Sequence, residues 1–176
     1  MNIEGDQIDS LLIATYSDDK DESADRYMDY YIDQYRIYLH IFNNTSDRRQ
    51  KTNEFFLGIN TAIMGIMGYF ETKDLPNAPV ISILVPFVGI AICFCWYRLI
   101  LSYTQLNRVK FKIIHTLEKK LPANIFESEW HLLGKGKDKS KYFPISHTER
   151  FIPITFILLY VIIVVINSPL LNFLNF

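Results

Sequence analysis

The chain has 176 residues, 49% of them hydrophobic and 15% aromatic, with 21% charged and a net charge of -1. The apolar residues gather into three stretches, Phe55 to Phe70, Val80 to Tyr103 and Phe151 to Ile166. Too little remains for a separate soluble core, and the bilayer becomes the main solvent. The two cysteines, Cys93 and Cys95, both fall in the second stretch, which excludes a disulfide framework and a cysteine-histidine metal site; both are expected to be packing residues.

The N-terminal arm is acidic. Glu4, Asp6, Asp9, Asp18, Asp19, Asp21, Glu22, Asp25, Asp29 and Asp33 face only Lys20 and Arg26 before Arg36. Met1 to Gln7 is acidic and Ile8 to Thr15 is short and interrupted, so no cleavable signal peptide is expected. From Ser23 the pattern turns helical, with Tyr27, Tyr31, Tyr35, Tyr38 and Phe42 on one face. Such an aromatic stripe is expected to pack on a cytoplasmic helix of the same or a neighbouring subunit. Asn43, Asn44, Thr45 and Ser46 are expected to break or cap this helix.

Phe55 to Phe70 offers about 16 strongly apolar residues, short of the roughly 20 of a perpendicular span, so it must borrow flanking residues or thin the bilayer. Within it Gly58, Thr61, Gly65 and Gly68 recur at three, four and three. A narrow face of small side chains lets helix backbones approach closely, as a packing seam or as the lining of a pore in an oligomer. Asn60 beside that face is a candidate for hydrogen bonding across subunits.

Val80 to Tyr103 runs about 24 residues with no charge before Arg98, enough to cross the hydrocarbon core. Leu99, Tyr103, Leu106, Val109, Ile113, Leu117 and Leu121 continue a helical stripe up to Pro122, which predicts a cytoplasmic stalk prolonging the second span. Phe126 to Leu133 is expected to form a short helix and Gly134 to Lys141 a flexible basic loop. Ser146 with Glu149 has the spacing of a capping box before the third span, which is apolar all round.

Orientation follows from the positive charges. Arg48, Arg49 and Lys51 precede the first span, a large basic set lies between the second and third, and only Lys73 sits in the loop between the first and second. This places the N-terminus in the cytoplasm and the C-terminus outside. The predicted architecture is an all-α integral membrane protein with three transmembrane helices, an acidic Tyr-rich N-terminal helix and a cytoplasmic helical stalk. Residues 1–47 form the arm and Tyr-rich helix; residues 48–176 form the membrane domain, with spans about 55–70, 80–103 and 151–170 and a cytoplasmic region at 104–150.

No catalytic constellation appears. The run Gly134-Lys135-Gly136-Lys137-Asp138-Lys139-Ser140 lacks the glycine spacing and the βα setting of a phosphate loop. His40, His115, His131 and His147 have no metal-ligand spacing, so neither an enzyme nor a metal or other cofactor is expected. The chemistry on offer is electrostatic. Arg48, Arg49 and Lys51 at the foot of one span, and Arg108, Lys110, Lys112, Lys119 and Lys120 on the stalk of another, would form a positive ring or crevice in a homo-oligomer. Such a surface suits lipid headgroups, the acidic arm, or a nucleotide or oligonucleotide.

Asp47-Arg48-Arg49-Gln50-Lys51-Thr52-Asn53-Glu54-Phe55-Phe56-Leu57-Gly58-Ile59-Asn60-Thr61-Ala62 resembles the opening of the RipA family of small octameric bacterial membrane proteins. Trp96-Tyr97-Arg98-Leu99-Ile100, Leu117-Glu118-Lys119-Lys120-Leu121-Pro122, Leu133-Gly134-Lys135-Gly136-Lys137-Asp138-Lys139 and Glu149-Arg150-Phe151-Ile152-Pro153 extend the likeness, over roughly Tyr35 to Ile166. Some proteins of this kind are encoded beside a nucleotidyltransferase in anti-phage loci. The resemblance implies an oligomeric channel of the bacterial inner membrane, held shut by a nucleic-acid oligomer and opened when that ligand is lost. The alternative is a non-conducting membrane scaffold that recruits a cytoplasmic partner through the Tyr-rich helix and basic surface.

Overall fold

The computed structural model of the protein describes residues 22–72, 78–136 and 145–168. The acidic arm before Glu22, the loop around Lys73, the basic stretch from Lys137 and the C-terminal end after Ser168 lie outside the described residues, and so do the expectations that fall on them. Four α-helices follow in order: α1 (Glu22–Glu71), α2 (Ala78–Glu118), α3 (Ile125–Leu132) and α4 (Ile145–Asn167), with a 3-10 turn at Gly134–Gly136. Among the described residues there is no strand.

The break expected at Asn43 to Ser46 does not occur, since α1 runs unbroken from Glu22 to Glu71. The physical reason lies in the side chains. Thr45 Oγ1 donates to the Ile41 carbonyl at 2.9 Å and Asn44 Nδ2 lies 3.1 Å from His40 Nδ1. Both bond back to the preceding turn, the alternative these residues have to capping. The Glu149 carboxylate, expected in a capping box with Ser146, is paired with Arg49; the Ser146 side chain lies outside the described residues.

The helices contribute to two compact units, one from residues up to Ser46 and from Gln105 to Phe143, the other from Asp47–Thr104 and from Pro144 onward. In the first, α1 and α2 pack antiparallel. Tyr31 Oη donates to the Leu117 carbonyl at 2.5 Å, Tyr35 Oη donates to Glu118 at 3.2 Å, and the Phe42 and Phe111 rings meet edge-on at 4.9 Å. The aromatic stripe thus faces α2 of its own chain. Ile114 is fully buried on the α2 side, and burial of such apolar surface is the main stabilising term.

Glu118 is also fully buried. Its carboxylate accepts the backbone N–H of Phe126 at 3.1 Å and of Glu127 at 3.3 Å. The first amide groups of α3 have no partner within the helix, and Asn124 supplies no side-chain cap. A carboxylate from the end of α2 therefore holds the start of α3. After α3 the chain turns through Gly134, Lys135 and Gly136 with φ of 71, 54 and 69°, a left-handed run that glycine tolerates at two of the three positions. The close approach to Trp130, whose ring would lie 2.9 Å from a Cβ at Gly136, fixes the need for glycine there.

In the second unit Met67, Cys93 and Tyr160 form the core, drawing one residue from each of α1, α2 and α4. Trp96 stacks on Phe56 with centroids 5.8 Å apart and lies 6.4 Å from Phe156. Pro86 and Pro153 sit inside α2 and α4, both fully buried; proline is tolerated in apolar helices where neighbours cover the freed backbone.

Among the described residues two helices are long and apolar enough to cross a membrane, within Ile83–Glu118 and Thr148–Asn167. Only 28% and 11% of their apolar windows are buried. A core helix of a soluble protein hides its apolar side chains, so these exposed faces suit lipid or another chain.

Candidate functional site

Asn60 is where three helices meet in polar contact. It lies on α1 with no exposed surface. Its Oδ1 accepts Tyr160 Oη from α4 at 3.1 Å and Cys93 Sγ from α2 at 3.1 Å, while its Nδ2 donates to the Phe56 carbonyl at 2.8 Å. A polar side chain in apolar surroundings is costly unless paired. Here every polar atom of the amide has a partner in its own chain, so Asn60 is turned inward, not toward a neighbouring subunit as the sequence suggested.

Within the protomer, close helix approach is made by another glycine. A Cβ added at Gly89 of α2 would lie 2.4 to 2.7 Å from three ring atoms of Tyr160. Gly89 is thus the glycine that lets α2 meet α4. Gly58, Gly65 and Gly68 have no atom within 4 Å of such a Cβ, and all three are exposed. Thr61, also exposed, spends its hydroxyl on the Leu57 carbonyl of its own helix at 2.8 Å. The small-residue face is left open within the protomer.

The basic residues divide into two kinds. Arg49 Nε donates to Glu149 Oε2 at 2.9 Å, and its Nη2 also reaches that oxygen, with both side chains largely shielded. Lys110 is buried, donating to the Ile41 carbonyl at 3.2 Å and to the Thr45 hydroxyl. These two cations serve packing. Arg48 and Lys51 in one unit, and Arg108, Lys112, Lys119 and Lys120 in the other, are exposed. Lys120 Nζ lies over the Tyr31 ring, 5.8 Å from its centroid, a favourable cation–π distance. Cys95 is exposed and Cys93 buried, so only the second is a packing residue within the chain. Among the described residues no group of His, Cys, Asp or Glu could hold a metal ion.

The model of the octameric membrane protein family, 8xMP, matches residues 32–169, most of the chain. The chain belongs to this family. No curated protein and no solved structure matches it. Membership makes it a membrane protein of an oligomeric family, in agreement with the resemblance read from the motifs. For an 8xMP protein an apolar or small-residue surface unused inside one protomer has an available use, contact with another copy. Gly89 and Tyr160 have no role from sequence, Glu118 none beyond the family motif, and Glu149 beyond it only that of a cap for its own helix. The one signal in the apolar stretches was a small residue, Gly89, in the second and a polar hydroxyl, Tyr160, in the third.

Proposed function

We propose that the protein is a homo-oligomeric channel of the bacterial inner membrane, controlled by an anionic nucleotide or oligonucleotide on its cytoplasmic side. It acts as an effector of anti-phage defence with a nucleotidyltransferase as functional partner. The observation that carries this reading is the exposed face of Gly58, Thr61, Gly65 and Gly68, whose glycines meet no other helix among the described residues, in a chain whose family is octameric. Around an oligomer axis such a face brings first spans close enough for small helix shifts to open or shut a path.

In this reading Phe55 to Phe70 is a third span, the N-terminus is cytoplasmic and the C-terminus outside, which the distribution of Lys and Arg favours. Asn60, Cys93 and Tyr160 hold the three spans of one protomer together. Arg48, Lys51, Arg108, Lys112, Lys119 and Lys120 are the cations turned outward for an anionic ligand. The scaffold reading is weakened by the engagement of Tyr31, Tyr35 and Phe42 with α2, because recruitment through that stripe would displace existing packing.

The test is expression without the partner enzyme. The host membrane should depolarise, and Gly65→Leu should suppress the effect without reducing insertion. Ligand affinity should fall steeply with salt, and neutralising Arg48, Lys51, Arg108 and Lys112 together should flatten that dependence. Unchanged membrane potential with well-inserted protein, with and without nucleotides, returns the decision to the scaffold.

A further inference from the structure

The first unit has an open apolar side. On α1, Tyr30, Ile37 and Ile41 recur at seven and four and are 63%, 61% and 47% exposed. At about 100° per residue they lie roughly 100° to one side of the Tyr31 face that packs on α2. On α2, Leu106 and Val109 are also exposed, offset by a similar angle in the same sense from the buried Ile114. Ile41 meets Lys110 while Tyr31 meets Leu117, so the helices are antiparallel. Equal offsets in the same sense on antiparallel partners point to the same side of the pair. The two stripes form one apolar face.

The other side of the pair carries α3. His115 Nδ1 lies 3.1 Å from Glu127, and Glu118 holds the first amides of α3. On that side Ile32 and Leu39 of α1 are half-buried. The outer surface of α3 then presents Ile125, 68% exposed, and Leu132, 79% exposed. Hydrocarbon is not the natural cover for the open face, because α1 bears Arg26, Asp29, Asp33 and Arg36 exposed along the same turns.

One protomer thus offers two different apolar faces on opposite sides of one helix pair. Copies inserted under the same charge rule all point the same way across the membrane, which excludes two-fold axes in the membrane plane. An assembly of such copies closes by rotation about the membrane normal, and its contacts are head-to-tail, joining two unlike surfaces. We infer that the Ile125 and Leu132 face of α3 in one protomer docks on the Tyr30, Ile37, Ile41, Leu106 and Val109 face of the next. The occupant is a second copy of this chain. The inference rests on the homo-oligomeric reading above and adds the surfaces that build it.

The experiment uses the full chain in membranes, with Cys95→Ser as background and Cys93 left in its buried contact. Ile37→Cys and Leu132→Cys, combined in one chain, should give a ladder of multimers with a short bis-maleimide. Expressed together as single variants they should give the mixed dimer, and neither alone should crosslink. A photo-crosslinking residue at position 37 should capture a peptide containing residues 125–132 from an isotopically distinct copy. Self-crosslinking through position 37 alone, or capture there of lipid or of residues 1–21, overturns the docking. So does absence of the ladder where native mass spectrometry shows an intact oligomer, and that outcome leaves the oligomer itself standing. Only monomers in mild detergent and in membranes would remove both. As a second variant, Leu132→Glu at its exposed position should shift the assembly to smaller species while helix content is unchanged; an intact assembly argues against the contact.

Discussion

Tyr160 donates its hydroxyl to Asn60 Oδ1 across 3.1 Å, tying α4 to α1. Cys93 reaches the same oxygen, so the amide is shared among three helices. Tyr160→Phe should cost about 1 kcal/mol, the scale of polar contacts between helices in membranes, because Cys93 still satisfies the amide oxygen. Asn60→Leu should cost more, about 1–3 kcal/mol, since it strands two donors in apolar surroundings. Unfolding in mixed micelles checks the order; equal losses for the two variants would contradict the shared-acceptor geometry.

Gly89→Ala should be more damaging than Gly65→Ala in an isolated protomer. The first pushes a methyl into the Tyr160 ring, which Asn60 and its neighbours hold in place, whereas the second meets open space within the chain. Forced overpacking costs about 1–3 kcal/mol. Thermal unfolding of monomers in detergent separates this from any effect of Gly65 on assembly.

Glu118→Gln should loosen α3 without unfolding α1 or α2. The carboxylate accepts two backbone amides and Tyr35, and hydrogen bonds to a charged group contribute about 1.5–3 kcal/mol each. The neutral amide keeps one acceptor and turns a donor toward donors. Hydrogen exchange at Phe126 and Glu127 should quicken while exchange at Ile114 stays slow; unchanged protection at the start of α3 would contradict the assigned cap.

The Tyr35 phenol is pushed up to about 12, first by burial and then by the Glu118 carboxylate, against about 10 for a free tyrosine. Its folded-state value is the higher, so its contribution to stability is complete below about pH 10 and is lost as pH rises through about 12. Alkaline titration followed by tyrosine absorbance should show a late phenol, and Glu118→Gln should move it earlier. A titration in which Glu118→Gln changes nothing would separate Tyr35 from that carboxylate.

Arg49→Ala should destabilise the second unit because Glu149 is left largely shielded without its partner, at about 1–3 kcal/mol for a polar group deprived of its bond. The exchange of charges, Arg49→Glu with Glu149→Arg, should recover part of that loss. Thermal stability of the two variants, compared with Arg48→Ala at an exposed position, measures it.

What the sequence determined is what depends on periodicity and solvent. The apolar lengths mark three stretches, of which the second and third fall in helices long and apolar enough to cross a membrane among the described residues, the recurrence of Tyr31, Tyr35 and Phe42 marks an inward face, and long mixed motifs carry the family. Local patterns have this power because a helix maps spacing directly onto a face. Tertiary structure decided which polar and small residues are used up inside one chain. Asn60 and the glycines of the first stretch stand within a turn or two of each other, yet the amide is buried against Cys93 and Tyr160 while Gly58, Gly65 and Gly68 are open. Arg48 and Arg49 are adjacent, but only Arg49 meets Glu149, 100 residues away. A charge or an amide in a sequence has no partner until distant helices are brought together, and the partner decides whether it binds its own fold or remains free for a ligand.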